Sequence, residues 1–205
     1  MKIYLEHISK RFQRHWIFKD VNLSFTSPGA YAILGPNGSG KSTLLRIIAG
    51  MQAASTGKLI YEDSGQKLAP EKLFNHISFT APSQEIVEEF TLLEFLRFHY
   101  SFKDIYPGLS IEDVVTATGL QDAQHKPIAD YSSGMKQRVK LAQAIFTNSP
   151  VLLLDEPCTN LDDTGVQQYR AWVEQYTRNR LVIVASNDIR EYYFCNEQVE
   201  MQAYK

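Results

Sequence analysis

The stretch Gly35-Pro36-Asn37-Gly38-Ser39-Gly40-Lys41-Ser42-Thr43 fits the phosphate-loop pattern G-x-x-x-x-G-K-[ST] at every fixed position. Glycines let the backbone curl so that successive N–H groups point at phosphate oxygens, and a helix starting there adds its positive end. Lys41 would then reach the β- and γ-phosphates of a nucleotide. Ser42 would offer its hydroxyl to a phosphate-bound Mg²⁺, which prefers hard oxygen ligands. Further along, the apolar run Val151-Leu152-Leu153-Leu154 ends in Asp155-Glu156. That pattern predicts a strand buried on both faces and delivering two carboxylates at its carboxyl end. Asp155 is expected to hold Mg²⁺ through water, and Glu156 to orient and deprotonate an attacking water.

The flanking segments are suited to positioning these groups. Tyr31 to Leu34 reads as a strand leading into the loop, and Leu44 to Ala49 as a helix stopped by Gly50. Lys2 to Glu6 and Val21 to Phe25 alternate as half-buried strands do, which predicts an antiparallel flap. Between them, Phe12 is the candidate to stack on adenine, the other reading being a ring buried under the flap; Trp16 is expected in the core. Leu59 to Tyr61 and Ile77 to Phe79 are short strands separated by the hairpin signal Glu62 to Gln66.

From Thr91 the period becomes helical. Thr91 to Glu94 and Ser110 to Asp113 have the form of capping boxes, the second segment closing at Gly119, and a helical insertion is expected over 85–149. Ser132-Ser133-Gly134-Met135 opens another helix and forms a second candidate anion site. Val166, Tyr169, Trp172, Val173 and Tyr176 form a core-facing stripe. Leu181 to Ala185 is the next buried strand, with Asn187 at its carboxyl end, where it can touch phosphate. The last ten residues suggest no role.

With 205 residues, 44% of them apolar, the chain can bury a full core. Its net charge of −2 gives no electrostatic case for nucleic acid. No apolar run approaches the ~18 residues of a membrane span. Ile3-Tyr4-Leu5 is interrupted at once by Glu6, unlike a secretory leader, so a cytoplasmic protein is expected. Cys158 and Cys195 read as free thiols.

Taken together, these motifs resemble the ATP-binding subunit of an ABC transporter over essentially the whole length. Gly35 to Thr43 is similar to Walker A, Val151 to Glu156 to Walker B with Glu156 as the catalytic glutamate, and Ser132 to Met135 to the signature sequence. Thr159-Asn160-Leu161-Asp162 is similar to the D-loop, and Phe12 takes the place of the A-loop aromatic residue. The resemblance implies an α/β P-loop (RecA-like) core with a β flap over 1–84 and 150–205 and an α-helical subdomain over 85–149. It also implies ATP and Mg²⁺ as ligands and a head-to-tail dimer with ATP between Walker A and the partner's signature helix. Integral membrane subunits would be driven from the cytoplasmic face. Three positions depart from the family pattern. Asn187 stands where the switch histidine is usual, and Ser133 and Met135 replace a glycine and a glutamine. The Q-loop position that would sense Mg²⁺ falls on Gln84 or nearer Pro82. The short chain and the segment Phe95 to Phe98 look similar to haem-exporter ATPases of cytochrome c maturation. The alternatives are a slowly hydrolysing ATP-binding assembly module and a soluble ABC ATPase without a transporter.

Overall fold

The computed structural model describes residues 1–205. Five strands form a parallel sheet: β3 (Gly29–Leu34), β6 (Ile77–Thr80), β7 (Val151–Asp155), β8 (Leu181–Ala185) and β9 (Glu197–Glu200), in the order β6-β7-β8-β3-β9. Every residue of β7 and β8 is buried, which is why both read as unbroken apolar runs. Successive side chains point to opposite faces of a strand. Leu152, Leu154, Val182 and Val184 therefore enter one core, while Val151, Leu153, Leu181 and Ile183 enter another.

The first core is closed by α3 (Leu92–Tyr100), α4 (Ile111–Thr118), α5 (Ser133–Ile145) and α6 (Asp163–Tyr176). Thr91 and Ser110 cap α3 and α4 through reciprocal bonds with Glu94 and Asp113, and Gly119 ends α4 in the left-handed conformation at φ 66°. Val166, Tyr169, Trp172 and Val173 are buried along α6.

The second core lies between the parallel sheet, α1 (Lys41–Ile48), the short α2 (Leu73–His76), which contributes Leu73, and an antiparallel sheet of order β2-β1-β4-β5. Its strands are β1 (Lys2–Phe12), β2 (His15–Thr26), β4 (Thr56–Asp63) and β5 (Gln66–Lys67). β1 and β2 run several residues beyond the alternating stretches visible in the sequence. Trp16, expected in the core, is instead 41% exposed at this overhang, flanked by Arg11 and Lys19, each 5.5 Å from its ring. The cationic stems cover the ring where the sheet outruns the core. Phe12 is also exposed, with Lys10 Nζ 5.1 Å from its ring, so it is not buried under the flap. The hairpin at Glu62 to Gln66 turns through Ser64 and Gly65, both at positive φ, but returns as β5 rather than as Ile77 to Phe79. The latter segment is the buried edge strand β6, paired in parallel with β7.

Leu153 is fully buried in the strand that supports the acidic pair. Leu153→Ala is expected to cost about 2–5 kcal/mol in urea unfolding, with an unchanged denaturant slope.

Candidate functional site

β3 ends at the phosphate loop and β7 ends at Asp155, separated by β8. Ala185 is level with Ile33 on one side and with Asp155 on the other. The carboxyl ends of three strands thus stand at one height, the usual place for a ligand on an open α/β sheet.

Asn37, Gly38, Gly40, Lys41, Ser42 and Thr43 line a cleft of about 270 Å³ together with Glu156 and Ile17. The loop's shape depends on its glycines. At Gly40, φ 103°, a Cβ would lie 2.7 Å from Ile17 Cγ2 and 2.9 Å from Phe18 Cδ1. At Gly38, φ 78°, a Cβ would meet nothing within 4 Å. Lys41 donates to the Gly35 and Pro36 carbonyls at 2.6 and 3.3 Å, so its ammonium sits over the loop. The α1 amino end has no capping side chain and no acidic residue in its first turn. By contrast, α3, α4, α5 and α6 are capped by Thr91, Ser110, Ser132 and Asp162. The free N–H groups of α1, the buried Ser39 hydroxyl without a partner and the Lys41 charge suit a polyphosphate.

Ser42 donates to Asp155 Oδ1 at 2.9 Å, placing two hard oxygens side by side. They fit Mg²⁺ bound beside phosphate. Burial pushes the Asp155 carboxyl above its ordinary range; the Ser42 bond opposes this, the Glu156 charge adds to it, and Arg46 and Lys41 oppose it. Glu156 has a positive φ of 43°, a conformation costing a non-glycine residue about 1–3 kcal/mol. Its N–H donates to the Ala185 carbonyl at 2.9 Å, which fixes the turn.

Asn187 joins this group. Its Oδ1 accepts from the Gly35 N–H at 3.2 Å, tying the end of β8 to the start of the loop. Phe12, Gln84 and Ser132 to Met135 do not line the cleft. Ser132 caps α5 by accepting from the Met135 N–H at 3.2 Å. A Cβ on Gly134 would come within 2.9 Å of the Asn160 carbonyl, and Gln137 Nε2 donates to the Pro157 carbonyl at 2.8 Å. The start of α5 therefore rests on the segment that follows Glu156. Gln84 lines a separate, apolar groove, its Oε1 buried without a partner. Pro82, the other register, accepts from Lys140 Nζ at 2.8 Å through its carbonyl.

A family model described as ABC transporter matches residues 18–159. The chain belongs to the ABC transporter family. An uncharacterized ABC transporter ATP-binding protein, YhcH of Bacillus subtilis, is 32% identical over 91% of the chain, which spans 62% of YhcH. The cytochrome c biogenesis ATP-binding export protein CcmA of Rhizobium meliloti is 29% identical, with 91% of this chain and 90% of CcmA aligned. The ATP-binding cassette MJ0796, solved as a dimer bound to ADP and Pi, superposes with a TM-score of 0.82 at 23% identity, covering 97% of this chain and 93% of that one. The expected α/β cassette fold is thus the observed one, with its parallel and antiparallel sheets.

Several residues that shape this ABC cassette's site were not legible in the sequence. Met201, fully buried, packs under Gly35, and β9 extends the sheet beside β3. Lys205 Nζ donates to the Gly38 carbonyl at 3.2 Å. A four-residue edge strand among polar residues has too little periodicity to be read. Glu191 was equally silent. It belongs to α7 (Ile189–Tyr192), and burial lifts its carboxyl to about 7 against the Ser186 and Cys158 bonds, with Asp188 and Glu156 adding to the rise.

Gly38→Ala is expected to lose about 1–2 kcal/mol in urea unfolding, from backbone strain alone. Gly40→Ala is expected to lose about 1–3 kcal/mol more, because its Cβ also collides with Ile17 and Phe18. Glu191 predicts a pH effect. Between its unfolded value near 4.5 and about 7, the folded chain keeps a proton that the unfolded chain releases. Its stabilisation is therefore complete below the lower value and lost as pH rises through the upper one. Urea midpoints at pH 5 and pH 8 should show a smaller fall in Glu191→Gln than in wild type.

Proposed function

We propose that the chain binds ATP with Mg²⁺ at Gly35 to Thr43 and hydrolyses it, with Glu156 as general base, to power an ABC transporter. The observation that carries this reading is the shared cleft, in which Glu156 faces Lys41, Ser42 and the uncapped end of α1. Gly35, Pro36, Asn37, Gly38, Ser39, Gly40 and Thr43 supply the backbone cradle. Lys41 balances charge on the γ-phosphate oxygens, the Asn187 amide donates a hydrogen bond to them through Nδ2, and Glu156 accepts the proton of the attacking water. Mg²⁺, held by Ser42 and Asp155, would neutralise charge on the β- and γ-oxygens. The exposed face of Phe12 offers a stacking surface for adenine.

Ser132, Ser133, Gly134 and Met135 lie outside the cleft of their own chain, which supports their meeting the nucleotide of a second copy in a head-to-tail dimer. ATP would close that dimer and hydrolysis release it, a difference in affinity between two states. The partners for transport are integral membrane subunits. An apolar groove of about 1040 Å³, with exposed Phe74, Val87, Phe98 and Phe102 on its walls, suits an amphipathic helix of such a subunit. Gln84, in the same groove, would carry its occupancy toward the metal. No helix of the chain is long and apolar enough to cross a membrane, so the reading places it peripherally at the cytoplasmic face. The likeness to CcmA, a cytochrome c biogenesis export protein, supports an export system of the cytochrome c maturation kind.

A second reading, a slowly hydrolysing conformational module, draws on Asn187. Its Oδ1 is engaged by Gly35, and an amide carries no proton or charge to the transition state as an imidazole can. Steady-state ATP hydrolysis across protein concentrations separates the two. Turnover rising more than linearly with concentration and falling about 100-fold or more in Glu156→Gln is expected of the transporter ATPase. Turnover near background in wild type, restored by Asn187→His, would favour the slow module.

A further inference from the structure

Glu191 takes no part in the chemistry proposed for the cleft, yet it bonds the two segments that carry Glu156 and Asn187. Its side chain is enclosed, with 4% of the residue exposed. Oε1 accepts from the Cys158 N–H at 2.6 Å, and Oε2 accepts from the Ser186 hydroxyl. Cys158 lies two residues beyond Glu156, and Ser186 immediately precedes Asn187. The Ser186 oxygen also accepts from the Asp188 N–H at 2.8 Å, so the turn presenting Asn187 is wrapped around the hydroxyl that Glu191 holds. The support is rigid: fully buried Tyr169 on α6 donates to the Glu191 carbonyl at 2.7 Å.

No cation is paired with this carboxylate. The acids Asp188 and Glu156 and the Cys158 thiol are its neighbours; Arg190 is bound to Asp188 at 2.6 Å, and Arg170 lies over the Tyr193 ring at 4.2 Å. Burying an acid without a cation is costly, and an amide would span the same two partners with less desolvation. Its bonds run to backbone and hydroxyl of the two turns that deliver the cleft's groups. Beyond these, a backbone hydrogen bond joins the two segments at the ends of β7 and β8, from the Glu156 N–H to the Ala185 carbonyl.

We infer that Glu191 is a positioning residue that couples the turn after Glu156 to the turn presenting Asn187, so that base and switch residue are set by one carboxylate. The inference rests on the hydrolysis reading for its kinetic consequence, but the coupling itself is a property of the folded chain. It makes Asn187's placement depend on where the Cys158 segment sits, and that segment is the one on which the α5 amino end rests.

The test uses the full chain with Glu191→Gln, Glu191→Ala, Ser186→Ala and Asn187→Ala. For Glu191→Ala, kcat is expected to fall about 10–100-fold while affinity for a fluorescent ATP analogue is unchanged. Glu191→Gln should recover most of that loss. The Glu191→Ala and Asn187→Ala losses should be less than additive. In ¹H–¹⁵N spectra, Ser186→Ala should move the Cys158 amide resonance, and Glu191→Gln should move Cys158 and Asn187 together. Equal losses of kcat and affinity, full additivity, or a Cys158 resonance indifferent to Ser186→Ala would overturn the inference. If wild type shows no turnover, the hydrolysis reading fails and the resonances alone decide the coupling. If Glu191→Ala does not fold, Glu191→Gln and Ser186→Ala carry the same decision.

Discussion

Ala185 pairs with Ile33 on one side and Asp155 on the other, and the site depends on that register. The loop begins one residue after β3, the acids end β7, and the Asn187 turn starts one residue after β8. A slip of one residue in either pairing would exchange the two faces of a strand. Leu152 and Leu154 would then leave the core closed by the helices, and Val151 and Leu153 the core closed by α1 and the flap. With both faces of the sheet covered by apolar layers, such a slip has no low-cost alternative. The register is held by burial, and the site inherits its precision.

Against that rigid frame, the loop keeps unspent polar capacity. Of the five helices of eight or more residues, four have an N-cap side chain accepting a first-turn N–H, and α1 does not. Ser39 is buried without a partner, Lys41 bonds only loop carbonyls, and Asp155 is held above its ordinary carboxyl range by burial. Each of these would be a cost in a purely structural element. They gather at the carboxyl end of the parallel sheet, where the proposed magnesium-bearing polyphosphate would supply acceptors for the donors and a cation for the acids. The positive φ of Glu156 belongs with them, as backbone strain kept where the proposed base faces the cleft.

What was legible in the sequence follows from how local each signal is. The phosphate loop, the Asp155-Glu156 strand end and the capping boxes at Thr91 and Ser110 are written in contiguous residues, because each is a short-range device. The stripe on α6 could be read from period alone. Trp16 misled because aromatic residues are usually buried; its exposed ring is flanked by two cations, Arg11, paired with it across from β1, and Lys19, three residues along β2 itself. Met201 and Glu191 act at the site through contacts more than 30 residues away in sequence, under Gly35 and on Cys158. No pattern in their own neighbourhoods announces such partners.

The placement of the signature residues has a consequence for how one chain would sense another. Gly134 approaches the Asn160 carbonyl so closely that no side chain fits between them, and Asn160 itself sits in the left-handed region at φ 64°. Gln137 adds a buried bond to Pro157. The amino end of α5 is thus seated on the segment that runs from Glu156 to the cap of α6, with backbone against backbone. A load on that end, such as a phosphate bound from a facing subunit, would be transmitted without slack to the residues just beyond Glu156. Because close-packed contacts of this kind do not deform continuously, the response would be a shift between discrete positions of the segment.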